Sequence, residues 1–364
     1  MNVNGKPMRT IWVGDDGKSV TIIDQTYLPH KLQTTDLNTL EDAVSAIADM
    51  KVRGAPCIGA TAAYGMAVAV RNDPSEAAIK QAYDALNAAR PTAVNLKWAL
   101  DECMDTIDGL DESDRASALF QRAGEICDED VDICSKIGDY GLDLLKNISK
   151  EKEGDTVNIL THCNAGWVAT VDWGTAIAPI YKAFDAGLDV HVWVDETRPR
   201  SQGARLTAWE LEQHGVPYTV ITDNSGGHLM QNGLVDICIV GTDRTTATGD
   251  VCNKIGTYLK ALAAFDNEVP FYVGAPSRSI DWEMQDGLTE IPIEVRSGEE
   301  EVGWIFGRDE DGVLRRVTTM PDPSKSRNDA FDVTPREYIT GLITERGVCD
   351  ANRDALRVLF PEKG

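Results

Sequence analysis

Hydrophobic and polar positions follow two rhythms along this chain, and the change falls near residue 156. Before it the pattern is mainly helical. The stretch 9–31 opens with short strands, "RTIWV" and "SVTIIDQ", around the turn "GDDGK". Apolar residues then recur at helical spacing over 37–50, and the small apolar run "RGAPCIGATAAYGMAVAV" (53–70) predicts a buried helix. Further helices are expected over 76–89 and 96–108, on either side of the break "RPTAVN", and 111–150 is amphipathic throughout.

After residue 156 five apolar runs follow: "VNILTHC", "DVHVWVDE", "PYTVITDN", "DICIVGTD" and "PFYVGAP". Helix-like segments over 167–186, 201–214, near 226–232 and 251–265 fill the first four gaps. Strands that are apolar on both faces and alternate with helices imply a parallel sheet covered on both sides. Each run ends in polar or special residues: Cys163-Asn164, Asp195-Glu196, Asp223-Asn224, Thr242-Asp243 and Pro276-Ser277. In open α/β sheets the ligand crevice lies at the carboxyl ends of the strands, so these endings converge on a candidate site. Residues 296–330 are irregular and charged, with a hairpin expected at "DEDG". The segment "DVTPREYITGLITERG" predicts a helix with Thr334 as N-cap, Pro335 in its first position and Gly347 past its end. The fold class is therefore α/β: a mostly helical N-terminal domain with a small sheet, then a parallel-sheet domain. A chain of 364 residues suggests two domains, divided as 1–130 and 131–364.

Charge narrows the partners. The formal net charge is −24, which opposes binding to nucleic acid or anionic membranes through bulk electrostatics. Any phosphate ligand must then be held by a few placed cations. No apolar run approaches the roughly 20 residues of a membrane span, and "MNVNGKPMRTIWVGDDGK" lacks the apolar core of a signal peptide. The cytoplasm is the expected location. Eight cysteines are scattered without metal-binding or disulfide spacing. Cys127, Cys134 and Cys238 read as packed thiols.

Cys163 differs, because it stands where a strand meets the crevice. A strand-to-helix turn there would place it at a helix N-terminus, whose dipole favours thiolate. The alternative is a small packed thiol. Asp243 ends the fourth run, where a carboxylate acts as acid or base if apolar neighbours raise its pKa; it reads equally well as a cap or as a partner of Arg244. Asp250 reads as the N-cap of the next helix, which puts Asn253 and Lys254 in that helix's first turn, suited to a phosphate or a sugar hydroxyl. In "DETRPRSQGARLTAWE" Gln202 suits a sugar hydroxyl, and most of the arginines are expected to pair with the protein's own carboxylates. Arg53, before a Gly/Pro turn and a helix start, and Arg90, in the break that follows, are candidate anion ligands.

With these residues in view, the chain resembles the methylthioribose-1-phosphate isomerases of methionine salvage. The likeness rests on "RGAPCIG", "RPTAVNL", "THCNAG", "ETRPRSQGARLTAWEL", "GTDRTTATGDVCNKIGTY" and "AFDVTP", in the family's order and spread over nearly the whole chain. The superfamily also holds ribose-1,5-bisphosphate isomerases and regulatory subunits of a translation initiation exchange factor. The resemblance implies a Rossmann-like second domain, a homodimer, and conversion of an aldose 1-phosphate into a ketose 1-phosphate without metal or cofactor. It implies Cys163 and Asp243 as the catalytic pair. It implies substrate contacts from Arg53, Gly54, Ala55, Arg90, Gln202, Asn253 and Lys254. Asp243 would be the acid that opens the ring, with Cys163 as base or charge stabiliser. The alternatives are isomerases of 5-deoxyribose 1-phosphate or ribose 1,5-bisphosphate, or a non-catalytic regulatory subunit. Thr242, Thr248, the bulky "WVATVDWGTA" and the longer segment before residue 330 depart from the family's common pattern.

Overall fold

A computed structural model describes residues 1–90, 94–322 and 324–363. Strands β1 (Ile11–Val13), β2 (Val20–Ile23) and β3 (Thr34–Leu37) form a small antiparallel sheet. Helices α1 (Leu40–Ala48), α2 (Ala55–Asn72), α3 (Glu76–Ala89) and α4 (Val94–Ile107) follow. Residues 91–93 of the expected break lie outside the described residues. α2 is buried along most of its length, and its alanines and glycines let the other helices approach closely.

Helix α5 (Glu112–Glu151) runs through position 130. Its first half, with Leu119, Ala123 and Ile126, packs into the α2 core; Ile137 and Leu145 pack into a second core beneath a large sheet. One helix thus supports both halves of the molecule.

The large sheet is built from β4 (Val157–Thr161), β5 (Val190–Asp195), β6 (Tyr218–Ile221) and β7 (Ile237–Val240). β8 (Arg244–Thr246) and β9 (Val251–Lys254) leave it, and β10 (Phe271–Gly274) returns to it. β11 (Ile280–Asp281), β12 (Val295–Arg296), the hairpin β13 (Trp304–Arg308) and β14 (Leu314–Thr318), β15 (Asn328–Asp329) and β16 (Phe331–Thr334) come next. β17 (Gly341–Thr344) and β18 (Gly347–Cys349) complete the large sheet. Its order is β18-β17-β10-β7-β4-β5-β6, parallel except for the edge strand β18. From β4 the chain moves outward to β5 and β6, then crosses to β7 on the opposite side of β4. The switch point therefore lies between the carboxyl ends of β4 and β7, where a doubly wound sheet opens its crevice.

Three expectations fail. The segment 332–347 is not a helix: β16 ends at Thr334, a short turn follows, and "GLIT" forms β17. The residue before a proline avoids the helical region, and the β-branched run "ITGLIT" favours a strand beside β10. Over 167–186 only a turn at Trp167–Ala169 and the helix α6 (Ala178–Asp185) form, because Trp173 and Gly174 take left-handed backbone conformations. Over 251–265 the chain first forms strand β9 and only then the helix Thr257–Asp266. β11, β8, β9 and β16 make a second, four-stranded sheet beside the crevice. The "DEDG" hairpin is present, with Arg308 opposite Leu314.

Candidate active site

Cys163 and Asp243 stand just past β4 and β7, on the two sides of the switch point. Cys163 is 6% exposed, with φ +67°. Its amide donates to Thr197 Oγ1 at 2.8 Å and its carbonyl accepts from Thr207 Oγ1 at 2.7 Å, so both flanks of the thiol are pinned. Sγ lies 3.6 Å from Gln202 Oε1. No helix begins at this turn; the next α-helix starts at Ala178. The dipole expected to favour thiolate is therefore missing. Burial pushes the Cys163 thiol above its ordinary pKa, while Arg53 and then Lys254 pull against that shift. Cations, not a helix end, favour the thiolate here.

Arg53 reaches the same turn from the first half of the chain. Its guanidinium donates to the side chain of Asn164 and, through Nη2 at 2.7 Å, to the Asn164 carbonyl. Gly54 has φ +89°, and a Cβ there would meet the Ala169 carbonyl at 2.2 Å, so only glycine lets α2 start against this loop. Behind Asn164 sits Glu210, which the sequence reading passed over. It accepts from Asn164 Nδ2 at 2.7 Å, Tyr181 Oη at 2.9 Å, and the amides of Trp167 and Val168 at 2.9 and 3.2 Å. Burial pushes its carboxyl up to about 7. A helical Glu directly after "RLTAW" carried no signal by itself, because its partners are remote in sequence.

Two clefts adjoin at Arg53 and Gly54. The first is lined by Gln25, Thr26, Arg53, Arg200, Gln202 and Arg205. The second is lined by Gly54, Ala55, Arg90 and Asp243 at its polar side, and by Ile58, Cys252, Ile291, Pro292 and Phe331 at its apolar side. Asp243 is half-buried, and its amide donates to the Cys252 carbonyl at 2.9 Å. Its neighbour Arg244 lies 3.8 Å from Asp281. Buried Arg90 Nε has no hydrogen-bond partner among the described residues, and burial lowers the guanidinium's pKa.

Asn253 and Lys254 are on a strand, not in a helix turn. Strand alternation sets Cys252 and Lys254 on one face and Asn253 on the other. Lys254 lies over the Phe331 ring, 4.2 Å from its centroid, and Nζ donates to the Ala330 carbonyl at 2.8 Å. Burial, then Arg296, holds its ammonium down to about 8, while Cys163 and Asp243 pull upward. Asn253 donates to Thr257 Oγ1 at 3.0 Å and pairs across the ladder with Asp332. Asp250 is no helix cap: its oxygens accept the amides of Gly287 and Arg336, both at 3.0 Å, tying the second sheet together. Thr248, in the turn before Asp250, donates to the Gln285 carbonyl of a remote segment at 2.5 Å.

The arginines of 198–205 do not mainly pair with carboxylates. Arg200 meets Glu301 at 2.7 Å, but Arg198 donates to the carbonyls of Val302 and Trp304, and Arg205 to those of Thr26 and Leu28. Two further residues act on Arg90 and Lys254 from beside the cleft, unannounced by the sequence. Glu294 and Arg296 come from "IPIEVRS", and their i, i+2 spacing in an extended segment is the signal that could have found them.

His162, Asp195 and Asp223 offer ligand atoms within 4.8 Å of one another, the one such grouping among the described residues. The protein fills it with its own cation. Lys260 Nζ lies 3.0 Å from Asp195 Oδ2 and donates to the Asp223 carbonyl. His162 bridges Asp195 and the Ile255 carbonyl, each at 2.8 Å. The grouping thus braces β4, β5 and β9 rather than presenting an open cation site.

Comparison with known proteins identifies the family of the chain. The Initiation factor 2 subunit family matches residues 51–351. A methylthioribose-1-phosphate isomerase of Paramagnetospirillum magneticum is 62% identical over 363 residues, covering all of both chains. Its namesake from Rhodospirillum rubrum is 60% identical over 368 residues, covering all of this chain and 94% of the other. The crystal structure of 5-methylthioribose 1-phosphate isomerase from Pyrococcus horikoshii OT3 superposes with a TM-score of 0.84 at 38% identity, covering 98% of this chain and 97% of that one. A translation initiation factor eIF-2B subunit delta from A. fulgidus superposes at 0.81 with 36% identity, covering 98% of this chain and 100% of the other.

Proposed function

The chain belongs to the Initiation factor 2 subunit family, and within it to the methylthioribose-1-phosphate isomerases; from that premise we propose that it converts 5-methylthioribose 1-phosphate into 5-methylthioribulose 1-phosphate in methionine salvage. The observation that carries this reading is the placing of Cys163 and Asp243 on either side of the switch point, with Arg53, Arg90 and Lys254 around them. A non-catalytic subunit would not need both groups there. The apolar side of the cleft, with Ile58, Ile291 and Phe331, suits the methylthio end of the sugar, and the cations suit its phosphate. Gln202 and Asn253 are proposed to take sugar hydroxyls, and Gly54 and Ala55 to let the phosphate approach the start of α2. The protein is proposed to work in the cytoplasm as a homodimer. Among the described residues no helix is long and apolar enough to cross a membrane.

The chemistry follows from the substrate. Its phosphate locks C1 in a ring, so no aldehyde exists to acidify the C2 proton. Asp243 donates a proton to the ring oxygen as the C1–O bond breaks, leaving a cation at C1 that is shared with the phosphate-bearing oxygen. Two routes then reach the ketose. In one, Cys163 takes the C2 proton, the C2–H electron pair forms an enol, and a proton returns to C1 as the C2 hydroxyl gives up its own to become the ketone. In the other, the C2 hydrogen moves to C1 with its electron pair while the C2 hydroxyl loses its proton; Cys163 then only balances charge. Turnover in deuterated water bears on the choice: deuterium at C1 supports the proton route, and its complete absence argues for hydride movement or a shielded proton. The activity itself is tested by assaying methylthioribose 1-phosphate beside 5-deoxyribose 1-phosphate and ribose 1,5-bisphosphate. Turnover of none of the three would overturn the reading.

A further inference from the structure

Four cations, Arg53, Arg90, Lys254 and Arg296, act on one another around the second cleft, and the fourth comes from a segment that shows no motif. Arg296 sits on β12, whose register is fixed by pairing with β15: Arg296 lies opposite Asn328 and Val295 opposite Asp329. Glu294 grips one edge of its guanidinium, Nε to Oε1 at 2.8 Å and Nη2 to Oε2 at 3.0 Å. The guanidinium lies 5.5 Å from the centroid of Phe331, the ring that also carries Lys254. The Arg296 side chain is 10% exposed. Like charges gathered in a poorly solvated cleft repel. Arg296 is the strongest source of that repulsion for both Arg90 and Lys254, and Arg53 adds to it at each. A protein of net charge −24 has carboxylates in plenty to neutralise such a group, yet against these four cations Arg296 draws on Glu294, with weaker attraction from Glu301 and Asp243. A dianion is the missing complement.

We propose that Arg296 is a further substrate-binding residue, using its Nη1 edge on the substrate phosphate, and that Glu294 is a positioning residue that fixes the guanidinium for this contact. The proposal rests on the isomerase reading above. Burial and then Arg296 hold the Lys254 ammonium down to about 8, and a bound phosphate dianion offsets the repulsion, so binding near pH 8 takes up a proton.

The test compares wild type with Arg296→Gln, Arg296→Lys, Glu294→Gln and the double variant Glu294→Gln/Arg296→Gln. Three readouts are needed: steady-state kinetics on methylthioribose 1-phosphate, competitive inhibition by inorganic phosphate, and thermal melting with and without phosphate. Loss of one charged contact to phosphate predicts a rise of about 10–100-fold in KM and in the phosphate inhibition constant for Arg296→Gln, with kcat changed far less. The double variant should remain as defective, and Arg296→Lys should recover part of the loss. If the ion pair is only structural, the double variant returns to wild-type KM, and the proposal falls. Wild-type KM in Arg296→Gln overturns it equally. Should Arg296→Gln fail to fold, the double variant and Arg296→Lys carry the comparison. The phosphate-induced rise in melting temperature, present in wild type and lost in the Arg296 variants, tests the contact even if the sugar phosphate proves not to be the substrate.

Discussion

Two arginine-rich regions lie next to each other in this acidic protein, and they are built on opposite principles. In the loop 198–205 every arginine is satisfied by the protein: Arg200 by Glu301, Arg198 by two carbonyls of the hairpin segment, Arg205 by two carbonyls of the N-terminal half. Arg205 also lies 5.5 Å from the Phe306 ring centroid, and Arg308 donates to the His30 carbonyl at 3.1 Å. These cations strap the β13–β14 hairpin across the first cleft. Around the second cleft Arg90 and Lys254 are repelled by Arg296 and Arg53, and Arg90 Nε is left without a partner among the described residues. Stability is conceded where a ligand must be held, and satisfied cations are spent on architecture. The difference separates cations that should matter to substrate from cations that should matter to shape.

The sharpest way to break that contrast is to remove the chemistry from the second cleft. Asp243→Asn should lower kcat by about 10²–10⁴-fold, the usual contribution of a general acid, while circular dichroism and melting temperature stay near wild type. Substantial turnover in a folded Asp243→Asn protein would end the acid assignment. Cys163→Ser should also cost kcat. A near-wild-type rate would leave the thiol a packing residue, held between Thr197 and Thr207.

The next effect is on pH dependence. Lys254 is held down to about 8, so kcat/KM, which reports the free enzyme, should fall as pH rises through about 8. Lys254→Met should lower kcat/KM below pH 8 and abolish that limb. The linkage to stability has a definite sign. Between about 8 and the ordinary 10.5 the unfolded chain binds the proton that the native protein has released. Stability due to this group therefore rises with pH across that window and is lost as pH falls through about 8. Urea unfolding of wild type and Lys254→Met at pH 7.5 and 10 checks this: wild type should gain relative to the variant. An unchanged difference would show that Lys254 is not a strained cation.

Much of this was legible in the chain, and the exceptions share a cause. The strand endings disclosed Cys163 and Asp243, because a parallel sheet leaves its loops on one side whatever their detail. What stayed hidden depends on partners remote in sequence. Glu210 gains meaning only through Asn164, Trp167 and Tyr181. Arg296 gains it through Phe331 and Lys254, which reach it from other strands. The misread helix over 332–347 had plausible caps at Thr334 and Gly347, but local capping was outweighed by the free edge of β10, which β17 fills. Asp332, in that misread segment, accepts the amides of Gly256 at 2.7 Å and Tyr258 at 3.1 Å, so the strand positions the turn after Lys254.

A smaller effect is expected in the strap. Arg205→Ala removes donors to the carbonyls of Thr26 and Leu28 and the packing on Phe306. Each charged hydrogen bond is worth about 1.5–3 kcal/mol at most in such settings, and the loss should speed proteolytic cleavage within 304–318 more than it changes kcat. A KM defect as large as that of the second-cleft cations would erase the distinction between the two regions.

Thr248→Asn should do least of all. The exchange replaces one small hydrogen-bonding side chain with another. Thr248 Oγ1 now donates to the Gln285 carbonyl and shares a hydrogen bond with Thr246 Oγ1 at 3.0 Å, both within the scaffold that connects β8 to β9. An asparagine amide can supply the same donor to Gln285, and nothing about the exchange adds or removes charge near Asp243 or Lys254. The register that sets Arg244 opposite Cys252 fixes Asp243, and that register does not depend on residue 248. Kinetic constants for methylthioribose 1-phosphate should therefore stay within about twofold of wild type, since neutral substitutions outside a site shift free energies by roughly 0.5 kcal/mol or less. A selective change in preference between methylthioribose 1-phosphate and 5-deoxyribose 1-phosphate would instead place residue 248 in the specificity of the cleft, and would extend the strained region beyond its four cations.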